Sequence, residues 1–132
     1  MASADSAPLR VRTAREAAIL LAPTFEGATR ERLAILYLDA DRVVVGLSET
    51  RVGEQATIDL PLRSIIADAI RFDAAGLILA HNHPSGDPEP SEADRTATRR
   101  LARIATELGI EVHDHLIFAG PEIRSFRALG LL

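Results

Sequence analysis

The sequence predicts a single-domain α/β fold, a layered sandwich with a mixed central β-sheet flanked by helices. Three observations lead to this prediction. The 132 residues fit one domain of ordinary size and exclude a two-domain enzyme or a full TIM barrel. Apolar runs of strand length alternate along the chain with segments whose apolar residues recur at helical spacing. The content of 47% hydrophobic and 26% charged residues is typical of a globular domain with one core.

The N-terminal half predicts one helix, a strand hairpin and a weaker third strand. Apolar residues at helical spacing indicate a helix over Thr13–Ala22, which Pro23 is expected to end. Two apolar runs of strand length, Leu33–Leu38 and Val43–Val45, flank a polar turn and predict a hairpin of largely buried strands. The weaker strand is expected over Ala56–Leu60.

The C-terminal half predicts two helices and three strands. Apolar residues at i, i+3 and i+4 spacing predict a core-facing helix over Leu62–Arg71, and the apolar run Gly76–Ala80 is typical of a buried strand. A long helix is expected over Ser91–Leu108. The tail predicts strands over His115–Ala119 and Ile123–Phe126, joined by a Gly-Pro turn.

Composition excludes several functional classes. A chain without cysteine forms no disulfide, thiol nucleophile, cysteine zinc site or iron–sulfur cluster, so any metal must be bound by His, Asp or Glu. The net charge of −4 and the aromatic content of 4% argue against a dedicated nucleic-acid-binding protein. Neither a membrane span of about 20 apolar residues nor a signal peptide is apparent in the sequence. We therefore expect a cytoplasmic protein with no membrane partner, in which residues 1–9 form a disordered start.

The pair His81 and His83 is the first candidate functional motif. Residues two apart at the end of an extended strand point to the same side, so both imidazoles can converge on one ion. A catalytic zinc ion takes three protein ligands at about 2.0–2.2 Å and leaves its fourth position open to water. Asp94, in the first turn of the long predicted helix, is the best candidate for the third ligand.

Each part of this motif also has an ordinary structural interpretation. Ser91 and Asp94 form the S-x-x-D pattern of a helix start, which stabilises a protein by about 0.5–2 kcal/mol without any catalysis. A lone H-x-H more often consists of two ordinary histidines than of two metal ligands. The joint occurrence of H-x-H, seven residues and S-x-x-D, with a strand before it and a helix after it, favours the metal site.

The segment HNHPSGDPEPSEAD at His81–Asp94 resembles the metal-binding signature of the JAB/MPN metalloproteases, the JAMM motif, in residue type and spacing. The LILA run before it, the LGI segment Leu108–Ile110, and the DHLIF, SF and GLL segments of the tail are similar to the bacterial RadC-like branch. The resemblance covers Arg10–Leu132. It implies the cytidine-deaminase-like α/β architecture of that family and a zinc-dependent hydrolase of peptide or isopeptide bonds, with a peptide or protein as its substrate.

The resemblance also implies roles for individual residues. His81, His83 and Asp94 correspond to the ligands of one Zn²⁺ per chain, and Ser91 corresponds to the serine that helps to bind the oxyanion. Glu31, shortly before an apolar strand, corresponds to the glutamate that acts as general base. The other glutamates considered for this role are Glu16, Glu26 and Glu49.

Two assignments have alternatives that the sequence leaves open. Glu31 could instead be a solvated charge paired with the neighbouring Arg30 or Arg32. His113 and His115 form a second H-x-H, for which the ordinary interpretation is polar residues near the edge of the sheet rather than metal ligands.

Two other functions are alternatives to the enzyme: a non-catalytic MPN interaction module and a DNA-repair-associated RadC-like protein. The presence of all the metal-ligand residues favours the enzyme over the module. The helix-hairpin-helix region that RadC-like proteins usually carry ahead of this domain is not seen in the sequence, which weakens the expectation of DNA binding. A run of arginines on the long helix could form a modest basic patch, but such runs are usually solvated helix faces. These arginines are Arg95, Arg99, Arg100 and Arg103.

Overall fold

The computed structural model describes residues 7–51 and 60–132. Three helices and five strands lie in these ranges and confirm the layered α/β fold that the sequence predicts. In chain order they are α1 (Ala14–Phe25), β1 (Arg32–Leu38), β2 (Val44–Arg51), α2 (Leu62–Arg71), β3 (Gly76–Asn82), α3 (Glu92–Glu107), β4 (Glu111–Ala119) and β5 (Glu122–Ser125).

The five strands form one mixed sheet in the order β2-β1-β3-β4-β5. β3 and β4 are parallel and are connected through α3, whereas the other neighbouring strands are antiparallel. Every residue of β3 is buried, because β3 is central and both of its faces are covered. This position explains why its sequence is a continuous apolar run rather than an alternating one.

Side chains of successive strand residues point to opposite faces of the sheet, and each face has its own helices. Leu33, Ile35 and Tyr37 of β1 belong to the core beneath α2 and α3. Ala34 and Leu36 belong to the core on the opposite face, beneath α1. The sheet is therefore the middle layer of three.

The helices agree with the sequence-based predictions except at the end of α1. The helix continues through Pro23 to Phe25, so the prediction that Pro23 ends it was wrong. Proline weakens the last turn by removing one N–H donor. However, Phe25 is buried and stacks on Phe118 with ring centroids 4.7 Å apart, and this tertiary contact holds the turn. No helix within residues 7–51 and 60–132 is long and apolar enough to cross a lipid bilayer.

Most strands extend beyond their predicted ranges because neighbouring strands pair with polar residues that carry no strand signal of their own. β1 begins at Arg32 rather than Leu33, β2 ends at Arg51 rather than Val45, β3 ends at Asn82 rather than Ala80, and β4 begins at Glu111 rather than His115. β5 is instead shifted by one residue, to Glu122–Ser125 from the predicted Ile123–Phe126. The weaker strand predicted at Ala56–Leu60 lies outside the described residues except for Leu60, which belongs to no strand or helix.

The segment before α1 is partly tied to the sheet. Residues 1–6 of the predicted disordered start lie outside the described residues. The carbonyl of Leu9 accepts a hydrogen bond from the backbone N–H of Val44 at 2.8 Å, and Arg10 forms an isolated bridge with Val43. These contacts attach the chain at residues 9 and 10 to the start of β2.

Candidate metal centre

The two histidines of the H-x-H motif lie side by side at the carboxyl end of β3. His81 is the penultimate residue of the strand and is completely buried, while the side chain of His83 is 13% exposed. The backbone N–H of His83 donates to the carbonyl of Phe118 at 2.8 Å, which holds the chain extended just beyond β3. The two Nε2 atoms are 2.9 Å apart, as the spacing of two residues predicts.

Asp94 reaches the same point from the start of α3. Its Oδ2 atom lies 3.1 Å from Nε2 of His83 and 3.5 Å from Nε2 of His81. Asp94 also forms a capping box with Ser91: Oγ of Ser91 accepts from the Asp94 N–H at 3.0 Å, and Oδ2 of Asp94 accepts from the Ser91 N–H at 2.9 Å. The helix-start interpretation is thus confirmed, and it is compatible with metal binding because the cap aims the carboxylate at the two imidazoles.

The donor atoms of His81, His83 and Asp94 fit a tetrahedral metal ion. They lie 2.9–3.5 Å from one another, and ligands at about 2.0–2.1 Å from a tetrahedral ion lie about 3.3 Å apart. The Nδ1 atom of His83 donates to the carbonyl of Asp87 at 2.8 Å, which leaves the lone pair of a neutral imidazole on Nε2. These residues form a group that could bind a metal ion.

The electrostatics of the centre favour an anionic Asp94. Burial alone would raise the pKa of this carboxyl, but its contacts with His81 and His83 and the hydrogen bond from the backbone N–H of Ser91 lower it well below its usual range. Hydrogen bonding to Asp94 raises the pKa of His83, whereas burial lowers the pKa of His81. An ionised carboxylate with two imidazoles is the type of ligand set that a zinc ion prefers.

Glu31 lies beside this cluster, immediately before β1. It is 9% exposed, so it is not a solvated surface charge, and its Oε2 atom is buried without a hydrogen-bond partner among the described residues. Burial raises the pKa of Glu31, the charge of His83 lowers it, and the charge of Asp94 raises it further. A buried carboxylate oxygen that is free to accept a proton fits the role of a general base.

The side chain of Asn82 holds Glu31 at this position, a role that was not predicted from the sequence. Its Oδ1 atom accepts from the backbone N–H of Arg32 at 2.6 Å, and its Nδ2 atom donates to the carbonyl of Arg30 at 3.0 Å. These two hydrogen bonds fix the backbone of the residues on both sides of Glu31. Asn82 stands between His81 and His83, so one short segment bears both the imidazoles and the amide that fixes the glutamate. Its position inside the H-x-H motif was the only available signal.

The other glutamates considered for the role of base occupy different surroundings. Glu16 accepts hydrogen bonds from Thr13 and from the backbone of Arg12 at the start of α1. Glu49 accepts from the hydroxyl of Thr24 at 2.8 Å. Glu26 is exposed at the end of α1, on the wall of a groove that also reaches His83.

The second H-x-H lies in β4, and its two histidines differ in environment. His115 is buried, and its Nε2 atom lies 2.6 Å from Nδ1 of His81. His113 lies 3.0 Å from the guanidinium of Arg42, where burial and the neighbouring positive charge lower its pKa. His115 thus contacts a candidate ligand, although its sequence context indicated a polar residue near a sheet edge. The contact depends on the pairing of β3 with β4, which the sequence does not reveal.

A groove of about 670 Å³ adjoins the cluster. Its walls combine His83 and Asn82 with apolar side chains from α1, β4 and β5. The apolar residues on its walls include Ile19, Pro23, Phe25, Phe118 and Ile123. The groove therefore connects the metal cluster to an apolar surface.

The chain is similar to proteins of one family. The family model described as the RadC-like JAB domain matches residues 11–131. The UPF0758 protein YfjY of Escherichia coli strain K12 is 41% identical over 106 residues, which cover 80% of this chain and 66% of that relative. UPF0758 proteins of Moorella thermoacetica and Symbiobacterium thermophilum are each 39% identical, over 92% and 98% of this chain and 53% and 56% of the relatives. The chain thus spans about half to two thirds of the length of these curated relatives.

Proposed function

The chain belongs to the family of RadC-like JAB domains, and from this premise we propose that it is a zinc-dependent hydrolase of amide bonds in peptides or proteins. The observation that carries the proposal is the convergence of Nε2 of His81, Nε2 of His83 and Oδ2 of Asp94 within 3.5 Å of one another. A buried carboxyl group, that of Glu31, interacts electrostatically with His83 and Asp94. The alternative of a non-catalytic module does not require a candidate base next to the cluster.

Each polar group at the centre has a chemical task in amide hydrolysis. His81, His83 and Asp94 would hold the zinc ion, which would lower the pKa of a water molecule to about 7 and polarise the carbonyl. Glu31 accepts the proton of the attacking water and delivers it to the leaving amine. Oγ of Ser91 accepts a hydrogen bond from the backbone N–H of Asp94. The O–H of Ser91 is therefore still able to donate to the developing oxyanion.

The groove beside His83 suggests the kind of substrate. Because its walls are largely apolar, we propose that a substrate residue next to the scissile bond carries an apolar side chain. Cleavage of a mixed peptide library, read by mass spectrometry with and without a chelator, tests both parts of the proposal. No chelator-sensitive cleavage in zinc-loaded protein would contradict hydrolysis, and cleavage that favours charged residues would contradict the apolar groove.

Zinc content provides a direct measurement of the proposed cofactor. We expect elemental analysis to find one Zn²⁺ per chain after purification without chelators, because two neutral imidazoles and a carboxylate match the ligands of zinc. Anomalous scattering at the zinc edge should place the ion between the three ligand atoms. A ratio near zero that added zinc does not raise would contradict the assignment.

The arginines of α3 test the alternative of nucleic-acid binding. All four arginines are exposed, which both a solvated helix face and a nucleic-acid-binding patch require; they are Arg95, Arg99, Arg100 and Arg103. We expect the double change Arg99→Glu with Arg103→Glu to leave zinc content and hydrolysis nearly unchanged.

Arg63→Glu with Arg71→Glu is the matched control for that double change, since it alters net charge equally on the exposed face of α2. One outcome would contradict the interpretation of these arginines as a merely solvated face. It is DNA binding at low salt that the α3 changes abolish and the α2 changes do not, and it would support the repair-associated alternative.

A further inference from the structure

His115 occupies a buried position between the candidate metal centre and α3. It is 1% exposed, and its ring stacks on Phe126 with centroids 4.5 Å apart. Its Nε2 atom lies 2.6 Å from Nδ1 of His81, and its Nδ1 atom lies 2.7 Å from Oγ1 of Thr98. Both nitrogens of the imidazole therefore have a partner, and neither partner is water.

The hydroxyl of Thr98 determines the direction of these bonds. Oγ1 of Thr98 donates to the backbone carbonyl of Asp94 at 2.7 Å. A hydroxyl has one hydrogen, so toward His115 the Thr98 oxygen must accept, and Nδ1 of His115 must carry the proton. The ring is buried, and its two hydrogen-bond partners are an imidazole and a hydroxyl rather than a carboxylate, so no counter-charge stabilises a cationic form and the ring is neutral.

The same reasoning extends to His81. A neutral His115 protonated on Nδ1 has its lone pair on Nε2, so the 2.6 Å contact requires Nδ1 of His81 to donate. His81 then has its own lone pair on Nε2, the atom that lies near His83 and Asp94. The direction of all three bonds is thus set by one carbonyl, that of Asp94.

We infer that His115 and Thr98 are positioning residues, which hold His81 as the tautomer whose Nε2 lone pair faces the metal centre. The chain of bonds begins at the backbone of Asp94 and ends on the ring of His81, so it links two of the three candidate ligands through buried groups. The inference rests on the proposed metal site but not on hydrolysis. When this tautomer is fixed in advance, zinc binding requires no change of tautomer at His81, and no binding free energy is lost to that change.

Two substitutions at Thr98 distinguish the effect of its hydroxyl group from the effect of its side-chain volume. Thr98→Val keeps the volume and removes the hydroxyl, whereas Thr98→Ser keeps the hydroxyl and removes only a methyl group. Nitrogen-15 NMR of the metal-free full chain, in alkaline buffer, distinguishes a ring nitrogen that bears a proton from one that bears a lone pair. We expect wild type and Thr98→Ser to show His81 protonated on Nδ1 alone, and Thr98→Val to show a mixture of tautomers.

Zinc affinity, measured by competition with a chromophoric chelator, provides the second readout. Loss of a partner that orients a ligand typically weakens metal binding by about 10–100-fold. We expect that loss for Thr98→Val and less than about threefold for Thr98→Ser. A wild-type His81 protonated on Nε2, or a Thr98→Val protein with the wild-type tautomer and affinity, would overturn the inference. A protein with the expected tautomers that fails to bind zinc would instead overturn the proposed function.

A pair of changes at His115 gives the same test if Thr98→Val does not fold. His115→Gln places an amide oxygen where it can accept from Nδ1 of His81, whereas His115→Leu has no acceptor. The expected result is one tautomer of His81 in the first variant and two in the second. Mixed tautomers in both, or a single tautomer in both, would contradict the proposed role of His115.

Discussion

Replacing Glu31 with glutamine is expected to reduce peptide hydrolysis by at least about 10²–10⁴-fold while the protein retains its zinc. Glutamine has nearly the shape of glutamate and still forms hydrogen bonds, but it cannot accept the proton of the attacking water. Glu31 touches neither imidazole in the hydrogen-bond network, and its Oε2 atom has no partner among the described residues. Its removal should therefore affect turnover rather than metal binding.

Turnover and zinc content must be measured on the same preparation of Glu31→Gln. Glu49→Gln is the matched control, because Glu49 is bonded to Thr24 and is not among the groups that shift the pKa values at the cluster. We expect the control to keep turnover within about twofold of wild type. Full activity of Glu31→Gln would show that another group is the base, and Glu26→Gln would then be the next variant to measure.

Replacing Asp94 with alanine is expected to abolish stoichiometric zinc binding and, with it, hydrolysis. The change removes the negative charge and one of three ligand atoms, leaving two imidazoles that hold zinc only weakly. It also removes the acceptor for the backbone N–H of Ser91, so the start of α3 should lose about 1 kcal/mol of stability. Elemental analysis and thermal unfolding of the metal-free protein measure the two effects separately.

Glu92→Ala is the matched control for Asp94→Ala. Glu92 is an exposed acidic residue in the same first turn of α3, so its loss weakens the interaction with the helix dipole without touching the cluster. We expect Glu92→Ala to bind one zinc per chain. Zinc retained at full stoichiometry by Asp94→Ala would remove this carboxylate from the ligand set.

The zinc contents of Glu31→Gln and Asp94→Ala together distinguish a carboxylate that acts as a base from one that binds the metal. Substitution of a ligand removes the metal from the protein, whereas substitution of a base that does not bind the metal leaves the metal in place. Loss of zinc in both variants would therefore exclude Glu31 as a pure base and point to direct coordination by it. Retention of zinc in Glu31→Gln with loss in Asp94→Ala is the pattern that the geometry predicts.

The sequence alone was sufficient to predict the candidate ligand cluster because its residues lie close together along the chain. His81, His83 and Asp94 lie within one strand–loop–helix unit, where strand alternation directs two imidazoles to one side and an S-x-x-D cap fixes the carboxylate. Hydrophobic periodicity also identified a core-facing helix that follows Pro61 and runs to about Arg71, close to the observed Leu62–Arg71. These features depend on interactions between residues a few positions apart, and such interactions can be read along the chain.

Tertiary structure decided the parts of the site that come from distant segments. Glu31 was singled out by resemblance, but its burial beside the cluster depends on the pairing of Leu33 with His81 and on the grip of Asn82. His115 is 34 positions from His81, and its contact with that ring requires the parallel register of β3 and β4 together with the placement of α3. No local pattern in the sequence carries this register.

The end of α1 shows both influences, local sequence and tertiary contact, in a single helix. Local chemistry predicted that Pro23 ends the helix, since proline removes a backbone donor. The contact between Phe25 and Phe118, which are far apart in the chain, holds one more turn. What the sequence by itself determined is thus the fold class and the local group of residues that could bind a metal ion. The burial of Glu31, the contact of His115 with His81 and the end of the helix were decided by strand register and side-chain packing, because these arise only when distant segments exclude water between them.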